Sequence, residues 1–300
     1  MRRPVIGVTE KNQGEYWQFV NAGWRQAADA LGLELRFDAP PSEDVEAQRA
    51  LMRAQLADGV DALAFVATRP DGFDDIVGEA TAAGVPVIAF DLDAPTSGRS
   101  YFVGMNTPIE VGRALGRRMV TDGITSGVVY LANGSDAAPG ARGKRDGLVE
   151  VLSRAGVRVV ESVGDHEDEE LSLRLAQEAV AQVSNLTAVV GVYGYHPAVL
   201  AAVVDGAVPV YGYDLLPKTL DLLETGRVRG VVWIREMDFG IHAAAAVSDI
   251  LRLGVTTALE IRGMDPDRWA DNRHIPASAY ITAAEVPQMR QRYSAVRTVP

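Results

Sequence analysis

The chain has 300 residues, of which 47% are hydrophobic and 23% are charged, so its length predicts two domains rather than one. A net charge of -11 argues against nucleic acid as a partner, because binding phosphates requires a basic surface. The absence of cysteine excludes disulfides and thiol nucleophiles, and no apolar run reaches the roughly 18 residues of a membrane span.

Strand-like and helix-like runs alternate along the chain. In the first part, the predicted strands are 4–9, 33–37, 62–66, 86–90 and 101–103, and the predicted helices are 16–31, 42–57 and 73–83. After Gly104 the pattern starts again, with strands at 126–131, 157–163, 188–192, 208–213 and 228–233 and helices at 108–121, 140–155, 171–183, 197–204 and 217–225. This alternation predicts an α/β fold with two doubly wound parallel-sheet lobes.

The last part of the chain departs from this alternation. A long helix at 237–253 does not continue the second series. The tail, 265–300, is predicted to be irregular apart from a strand at 277–282.

Polar, charged and aromatic residues follow the predicted strands, at the sheet edge where open α/β sheets bind ligands. The candidates in the first part are Lys11, Asn12, Tyr16, Trp17, Arg69 and Asp91, and those in the second are Arg142, Lys144, Tyr193, Tyr195, Asp214 and Arg235. Carboxylates, amides and cations bind hydroxyl groups, while aromatic rings pack against apolar ring faces. The mixture predicts a sugar, a polyol or a similar small polar ligand.

Structural roles are the alternative at several of these positions. Asp91, Asp93 and Asp214 could cap helices or turns, and Tyr16 and Trp17 could pack in the core. Arg69 and Lys144 could be ordinary surface charges. The acidic run 165–170 is interpreted as the solvated start of a helix.

Catalytic and metal-binding signatures do not occur in the sequence. There is no Gly-x-Ser-x-Gly elbow, no Walker loop and no Gly-x-Gly-x-x-Gly after the first strand. The four histidines, at 166, 196, 242 and 274, lack the spacing of metal ligands. We therefore expect a protein that is not an enzyme and has no cofactor and no metal site.

Several motifs resemble the type I periplasmic binding proteins, in particular the ribose-binding and other sugar-binding components of ABC importers. The motifs are Gly-x-Pro-Val-x-x-Phe-Asp at 84–91, Tyr-Phe-Val-Gly-Met-Asn at 101–106, Glu-x-Gly at 110–112 and Gly-Tyr-Asp at 212–214. The resemblance extends to about residue 286. It implies two lobes that close on a ligand in the cleft between them: 1–104 plus 237–264, and 105–236 plus 265–300. Three hinge crossings are implied near 103–107, near 233–238 and after 261.

The resemblance also implies ligand-binding roles for Asp91, Asp214, the aromatic pair Tyr16 and Trp17, and Asn106. Other positions depart from the family pattern. Arginines of the family fall on Leu92 and on Lys144 (with Arg142 nearby), an asparagine on Gly194, and the hinge glutamine on Ile234 or Arg235. We therefore expect a ligand other than ribose. The cations among the candidates keep a sugar acid open.

By resemblance, the chain is an extracytoplasmic, monomeric solute-binding protein that delivers its ligand to an ABC permease in the membrane. Its location would be periplasmic or lipid-anchored at the cell surface, with the signal peptide lying outside the given chain. Two alternatives stay open: a binding protein that presents ligand to a receptor or kinase, and the effector domain of a lac-repressor-type regulator. The regulator would carry a DNA-binding segment before the first strand, where only about three residues stand.

Overall fold

The structure of the protein is a computed structural model that describes residues 2–14, 16–105, 107–134, 138–265, 268 and 271–294, without the side chain of Pro139. The described chain divides into two compact units. The first unit contains 2–105 and Arg235–Pro276, and the second unit contains 107–234 and 277–294.

The helices and strands follow the predicted alternation, with boundaries shifted by a few residues. The chain first forms β1 (Val5–Thr9), α1 (Trp17–Leu31), β2 (Glu34–Asp38), α2 (Val45–Ala57), β3 (Ala62–Phe65), α3 (Asp74–Ala82), β4 (Val87–Asp91) and β5 (Tyr101–Gly104). It continues with α4 (Pro108–Thr121), β6 (Val128–Ala132), α5 (Pro139–Arg154), β7 (Arg158–Glu161), α6 (Glu169–Gln182), β8 (Leu186–Gly191), α7 (His196–Val203), β9 (Val210–Tyr213), α8 (Pro217–Glu224) and β10 (Gly230–Trp233). It ends with α9 (Glu236–Leu253), α10 (Val255–Glu260), β11 (Arg273–His274), β12 (Ala279–Ile281), a 3₁₀ turn (Ala283–Glu285) and α11 (Val286–Ser294).

Each unit has its own sheet, and the two sheets have the same kind of strand order. In the described residues the first is β2-β1-β3-β4-β5-β11 and the second is β7-β6-β8-β9-β10-β12. Every pairing is parallel except that of β12 with β10. The predicted pair of doubly wound α/β lobes is confirmed, with one antiparallel edge strand that the alternation did not predict.

The central strands are buried on both faces, which explains why they read as continuous apolar runs in the sequence. All four residues of β3 and all five of β4 are buried. In the first unit, Leu63, Phe65 and Val87 pack with Met52 of α2 and Phe73 in one apolar core. The buried strands therefore deliver the residues that follow them to one sheet edge.

Helix α5 packs against α4 with the two backbones in direct contact. A Cβ atom at Gly112 would lie 2.1 Å from the carbonyl oxygen of Lys144, and one at Gly147 would lie 2.0 Å from that of Ile109. Gly23 on α1 makes the same kind of contact with α9 in the first unit. Because there is no room for a side chain at these glycines, the position of Lys144 relative to α4 is tightly set.

The segment after residue 264 is where the expected division differs from the structure. We expected 265–300 to belong wholly to the second lobe, but β11 pairs with β5 in the first sheet. The expectation was wrong for this strand because it is two residues long and has no apolar run to mark it. The tail is also less irregular than expected, since it contains α11 as well as β12.

Candidate functional site

The first unit brings four of the predicted residues together at the carboxyl edge of its sheet. Asp91 is the last residue of β4 and is buried, and its Oδ1 accepts a 3.0 Å hydrogen bond from the hydroxyl of Tyr16. The rings of Tyr16 and Trp17 meet edge to face with centroids 4.9 Å apart. Trp17 Nε1 donates to Asn12 Oδ1 at 2.8 Å. We call Asn12, Tyr16, Trp17 and Asp91 the first-unit cluster.

The backbone of Asp91 adopts a conformation that residues other than glycine rarely adopt, with φ at 62°. Asp214 in the second unit has the same feature, with φ at 65°. Such strain concentrates at functional positions, where the surrounding structure maintains it. Each aspartate directs its carboxylate from the end of a buried strand, and neither caps a helix in the structure.

The predicted cations of the first unit lie in ion pairs. Lys11 pairs with Glu43, and the exposed Arg69 lies 3.7 Å from Asp71. The expectation that Arg69 could be a surface charge is therefore confirmed. Neither cation makes a contact with the first-unit cluster among the hydrogen bonds of the described residues.

In the second unit, Lys144 and Asp214 are both buried, each with 7% of its surface exposed. Lys144 Nζ lies 4.8 Å from the centroid of the Tyr213 ring and 3.5 Å from the carbonyl oxygen of Val192. The alternative that Lys144 is a surface charge is wrong, because the contact of α5 with α4 holds it inside the unit. A buried ammonium needs nearby electron-rich partners, and the aromatic ring and the carboxylate provide them.

Asp214 follows β9 and has an unused hydrogen-bonding atom. Burial raises the pKa of Asp214, and the positive charge of Lys144 opposes that rise. Its Oδ1 is buried and has no hydrogen-bond partner among the described residues. A Cβ atom at Gly194 would lie 3.2 Å from Cβ of Asp214 and 3.3 Å from its Oδ2. Lys144, Gly194, Tyr213 and Asp214 form what we call the second-unit cluster.

The remaining predicted residues are placed less directly. The ring of Tyr193 lies on Gly134, and the hydroxyl of Tyr195 donates to Asp165 at 2.6 Å. Arg142 is exposed on α5. Arg235 belongs to the first unit rather than the second, and its guanidinium binds Asp238 at 2.5 Å. Asn106 lies outside the described residues.

Two polar pairs that contain a fully buried ionisable side chain escaped the sequence analysis. Asp165 is bound to His196 and is buried, so the reading of 165–170 as wholly solvated is wrong at its first residue. Arg99 is completely buried and donates to Asp93 through Nε at 2.5 Å and through a terminal nitrogen at 2.7 Å. No local pattern marks these partners, because ionisable residues are usually exposed and the contacts depend on the tertiary fold.

Neither a metal site nor a membrane span emerges from the described ranges. No three or more His, Asp or Glu side chains of the described residues are grouped so that they could hold a metal ion. Among the described helices, none combines the length and the apolar character that crossing a bilayer requires.

Residues 6–254 match the family model of the periplasmic binding protein domain. The chain belongs to this family. The resemblance to the periplasmic binding proteins is therefore confirmed, as is the expectation of a binding protein rather than an enzyme. Membership of a periplasmic family implies that this protein is located outside the cytoplasm.

Solved structures with this fold match nearly the whole chain. An ABC transporter solute-binding protein from Burkholderia graminis in complex with D-arabinose is 21% identical, covers 95% of this chain and 97% of its own, and has a TM-score of 0.84. The binding component of the arabinose ABC transporter from Shewanella is 17% identical with 99% of both chains covered and a TM-score of 0.82. GanP, a glucose-galactose binding protein from Geobacillus stearothermophilus, is 21% identical, with 96% of this chain and 100% of its own covered and a TM-score of 0.79. These identities establish the fold, and the ligand must be argued from the site.

Proposed function

We propose that this periplasmic binding protein captures a small neutral polyhydroxy compound, a sugar or a polyol, and delivers it to an ABC permease in the membrane. Three structurally similar proteins carry arabinose or glucose and galactose in their names, and two of those names include an ABC transporter. Family membership supports capture outside the cytoplasm. The chemistry of the two clusters supports the class of ligand.

The observation that carries the proposal is that Oδ1 of Asp214, near the ammonium of Lys144, has no hydrogen-bond partner among the described residues. A buried polar atom without a partner costs free energy, so the second-unit cluster gains stability when a ligand completes it. A hydroxyl group suits this pair, because it can donate its proton to Asp214 while its oxygen accepts from Lys144. A sugar or polyol presents several such groups.

The charge balance of the candidate residues favours a neutral ligand over a sugar acid. Three of the five predicted cations already lie in ion pairs, Lys11 with Glu43, Arg69 with Asp71 and Arg235 with Asp238, and the charge of Lys144 acts on Asp214. The first-unit cluster contributes a further carboxylate, Asp91, and no cation. A carboxylate on the ligand would be repelled by the acid of either cluster, whereas a hydroxyl group would satisfy that acid.

A ligand panel tests this proposal on the purified protein. Thermal shift and titration calorimetry would compare L-arabinose, D-xylose, D-ribose, D-galactose, D-glucose and xylitol with D-xylonate, D-galacturonate and D-gluconate. At a hundredfold excess over its dissociation constant, a ligand stabilises the protein by about 2.7 kcal/mol, which a melting curve detects. We expect at least one neutral compound to bind and its acid counterpart not to bind. Binding of the acids alone, or of no compound in the panel, would contradict the proposal.

A further inference from the structure

A buried carboxylate in the second unit binds the side chains of two residues at the start of α7. His196 is 0% exposed and Asp165 is 1% exposed, and His196 Nε2 lies 2.8 Å from Asp165 Oδ2. The hydroxyl of Tyr195 donates to Oδ1 of the same carboxylate at 2.6 Å. Burial opposes ionisation of Asp165, but the hydrogen bonds of His196 and Tyr195 hold its pKa below the usual value.

The hydrogen bonds of His196 determine which ring nitrogen carries the proton. The backbone N–H of Tyr193 donates to Nδ1 of His196 at 3.0 Å, so Nδ1 is the acceptor. The proton of the neutral ring therefore lies on Nε2, where it points at Asp165. Burial lowers the pKa of His196, and it does so by more than Asp165 raises it. The lowered pKa favours this neutral form. A second proton on Nδ1 would place two N–H groups face to face.

The residues held by this arrangement are 193–195, of which Gly194 belongs to the second-unit cluster. A Cβ atom at Gly134 would lie 1.6 Å from Cε2 of Tyr193, so that ring is seated directly on the backbone after β6. The rings of Tyr193 and Tyr195 stack with their planes 17° apart. Between them, Gly194 packs against the side chain of Asp214. Any rotation of this segment would change the space and the contacts beside Asp214.

We propose that Asp165 and His196 are positioning residues that hold segment 193–195 against Asp214 and thereby set the ligand affinity of the second-unit cluster. The Asp165 carboxylate keeps the His196 proton on Nε2, which leaves Nδ1 free to accept a hydrogen bond from the Tyr193 amide. That hydrogen bond holds the segment in place. The effect on affinity rests on the proposed function, whereas the effect on the segment does not. The two can therefore be tested separately.

The variant Asp165→Asn keeps the size of the side chain and reverses its hydrogen bonding toward His196. In the wild type, Oδ1 of Asp165 accepts from both the Tyr195 hydroxyl and the Glu167 N–H. The asparagine oxygen is therefore expected at that position and its nitrogen opposite His196. The nitrogen would then face Nε2–H, or the ring would move its proton to Nδ1 and lose the hydrogen bond from the Tyr193 amide. Asp122→Asn is the matched control. Asp122 is also a mostly buried acid of the second unit that accepts from two tyrosine hydroxyls, Tyr280 at 3.1 Å and Tyr211 at 3.4 Å.

Hydrogen exchange of the ligand-free protein is the first measurement. In Asp165→Asn we expect the Tyr193 amide, which donates to His196, to exchange about tenfold faster, the size of effect that losing one hydrogen bond to a charged group gives, while the amides of Val189 and Val190 in β8 keep their rates. In Asp122→Asn the Tyr193 amide should exchange as in the wild type. An unchanged rate in Asp165→Asn, or an equal acceleration in Asp122→Asn, would overturn the inference.

Two further measurements cover the remaining outcomes. Nitrogen-15 spectra of the wild type should show the His196 ring neutral and protonated on Nε2, and a proton on its Nδ1 would overturn the inference without any variant. The tightest neutral sugar of the panel should bind Asp165→Asn about tenfold more weakly and Asp122→Asn with nearly wild-type affinity. If no sugar binds the wild type, the proposed function fails, and the exchange rates still decide whether the pair holds the segment.

Discussion

The hydroxyl of Tyr16 and the carboxylate of Asp91 are joined by a 3.0 Å hydrogen bond. This bond joins an aromatic residue just before α1 to the end of β4, so the acid is held in one orientation.

Removing the Tyr16 hydroxyl tests whether this orientation of Asp91 contributes to ligand affinity. We expect Tyr16→Phe to weaken binding of the tightest neutral sugar about tenfold, since a hydrogen bond to a charged group contributes about 1.5 kcal/mol or more. Tyr101→Phe is the control, because Tyr101 is the first residue of β5, at the other end of that strand from the residue paired with Asp91, and its hydroxyl interacts with Arg262. Equal affinities of Tyr16→Phe and wild type would show that the bond does not orient a ligand-binding acid.

Asp91→Ala and Asp214→Ala should each abolish measurable sugar binding while the protein stays folded. Each variant removes from one cluster a buried carboxylate that would accept hydrogen bonds from ligand hydroxyl groups. Titration calorimetry would measure the loss of binding. Asp71→Ala, which removes an exposed acid paired with Arg69, should bind like the wild type. Wild-type affinity in either cluster variant would remove that aspartate from the site.

Gly147→Ala should weaken both stability and binding. The added methyl group would lie 2.0 Å from the carbonyl oxygen of Ile109, so α5 must move away from α4 and carry Lys144 with it. Overpacking of this kind costs roughly 1–3 kcal/mol, which urea unfolding measures. Gly140→Ala on the same helix is the control, because no atom of the described residues beyond its chain neighbours and its own helix backbone lies within 4 Å of its Cβ position, and alanine favours helix. Equal stability of the two variants would contradict the close-contact argument.

Glu10→Gln should stabilise the protein at high pH and not at low pH. Burial raises the pKa of Glu10 from its ordinary 4.5 to about 7, against the hydrogen bond from Asn21 and the charge of Arg25. Between these values the folded protein holds a proton that the unfolded chain has lost, so the unfolding free energy falls as pH rises. Glutamine does not ionise, so the variant avoids this fall in stability. We expect its unfolding free energy to exceed that of the wild type by about 1–3 kcal/mol at about pH 8, and the difference to disappear below about pH 4.5.

Urea unfolding at about pH 4.5 and about pH 8 would measure the two differences. The exposed Glu34→Gln variant is the control, and its stability relative to wild type should change little between the two pH values. A Glu10→Gln variant whose advantage is the same at both pH values would contradict the role of the buried carboxyl.

Much of the fold could be predicted because the buried strands and amphipathic helices have strong local patterns. The long helix expected at 237–253 is observed at Glu236–Leu253, and the apolar run that ends in Asp91 is β4. Helix α11 also has a pattern, since Val286, Met289 and Tyr293 recur at helical spacing and are buried, but its many polar residues obscured it. The two residues of β11 carry no comparable signal.

The placement of the candidate site residues was predictable only where they lie at strand ends. Asp91 and Asp214 could be located because each directly follows an apolar run. The burial of Lys144 could not, because it depends on the contact of two helices through glycines rather than on the residues next to it. Asp165 and His196 are 31 positions apart, so only the folded chain brings them together.

The glycine-mediated helix contacts have a consequence for the order of folding during synthesis. In the second unit the contact joins α4 and α5, which are neighbours along the chain, so it can form as soon as both emerge from the ribosome. In the first unit the partners are α1 and α9, whose contacting residues Gly23 and Met237 are separated by most of the polypeptide. During synthesis, one face of α1 therefore stays uncovered until α9 has been made, so the first unit cannot complete its fold before then.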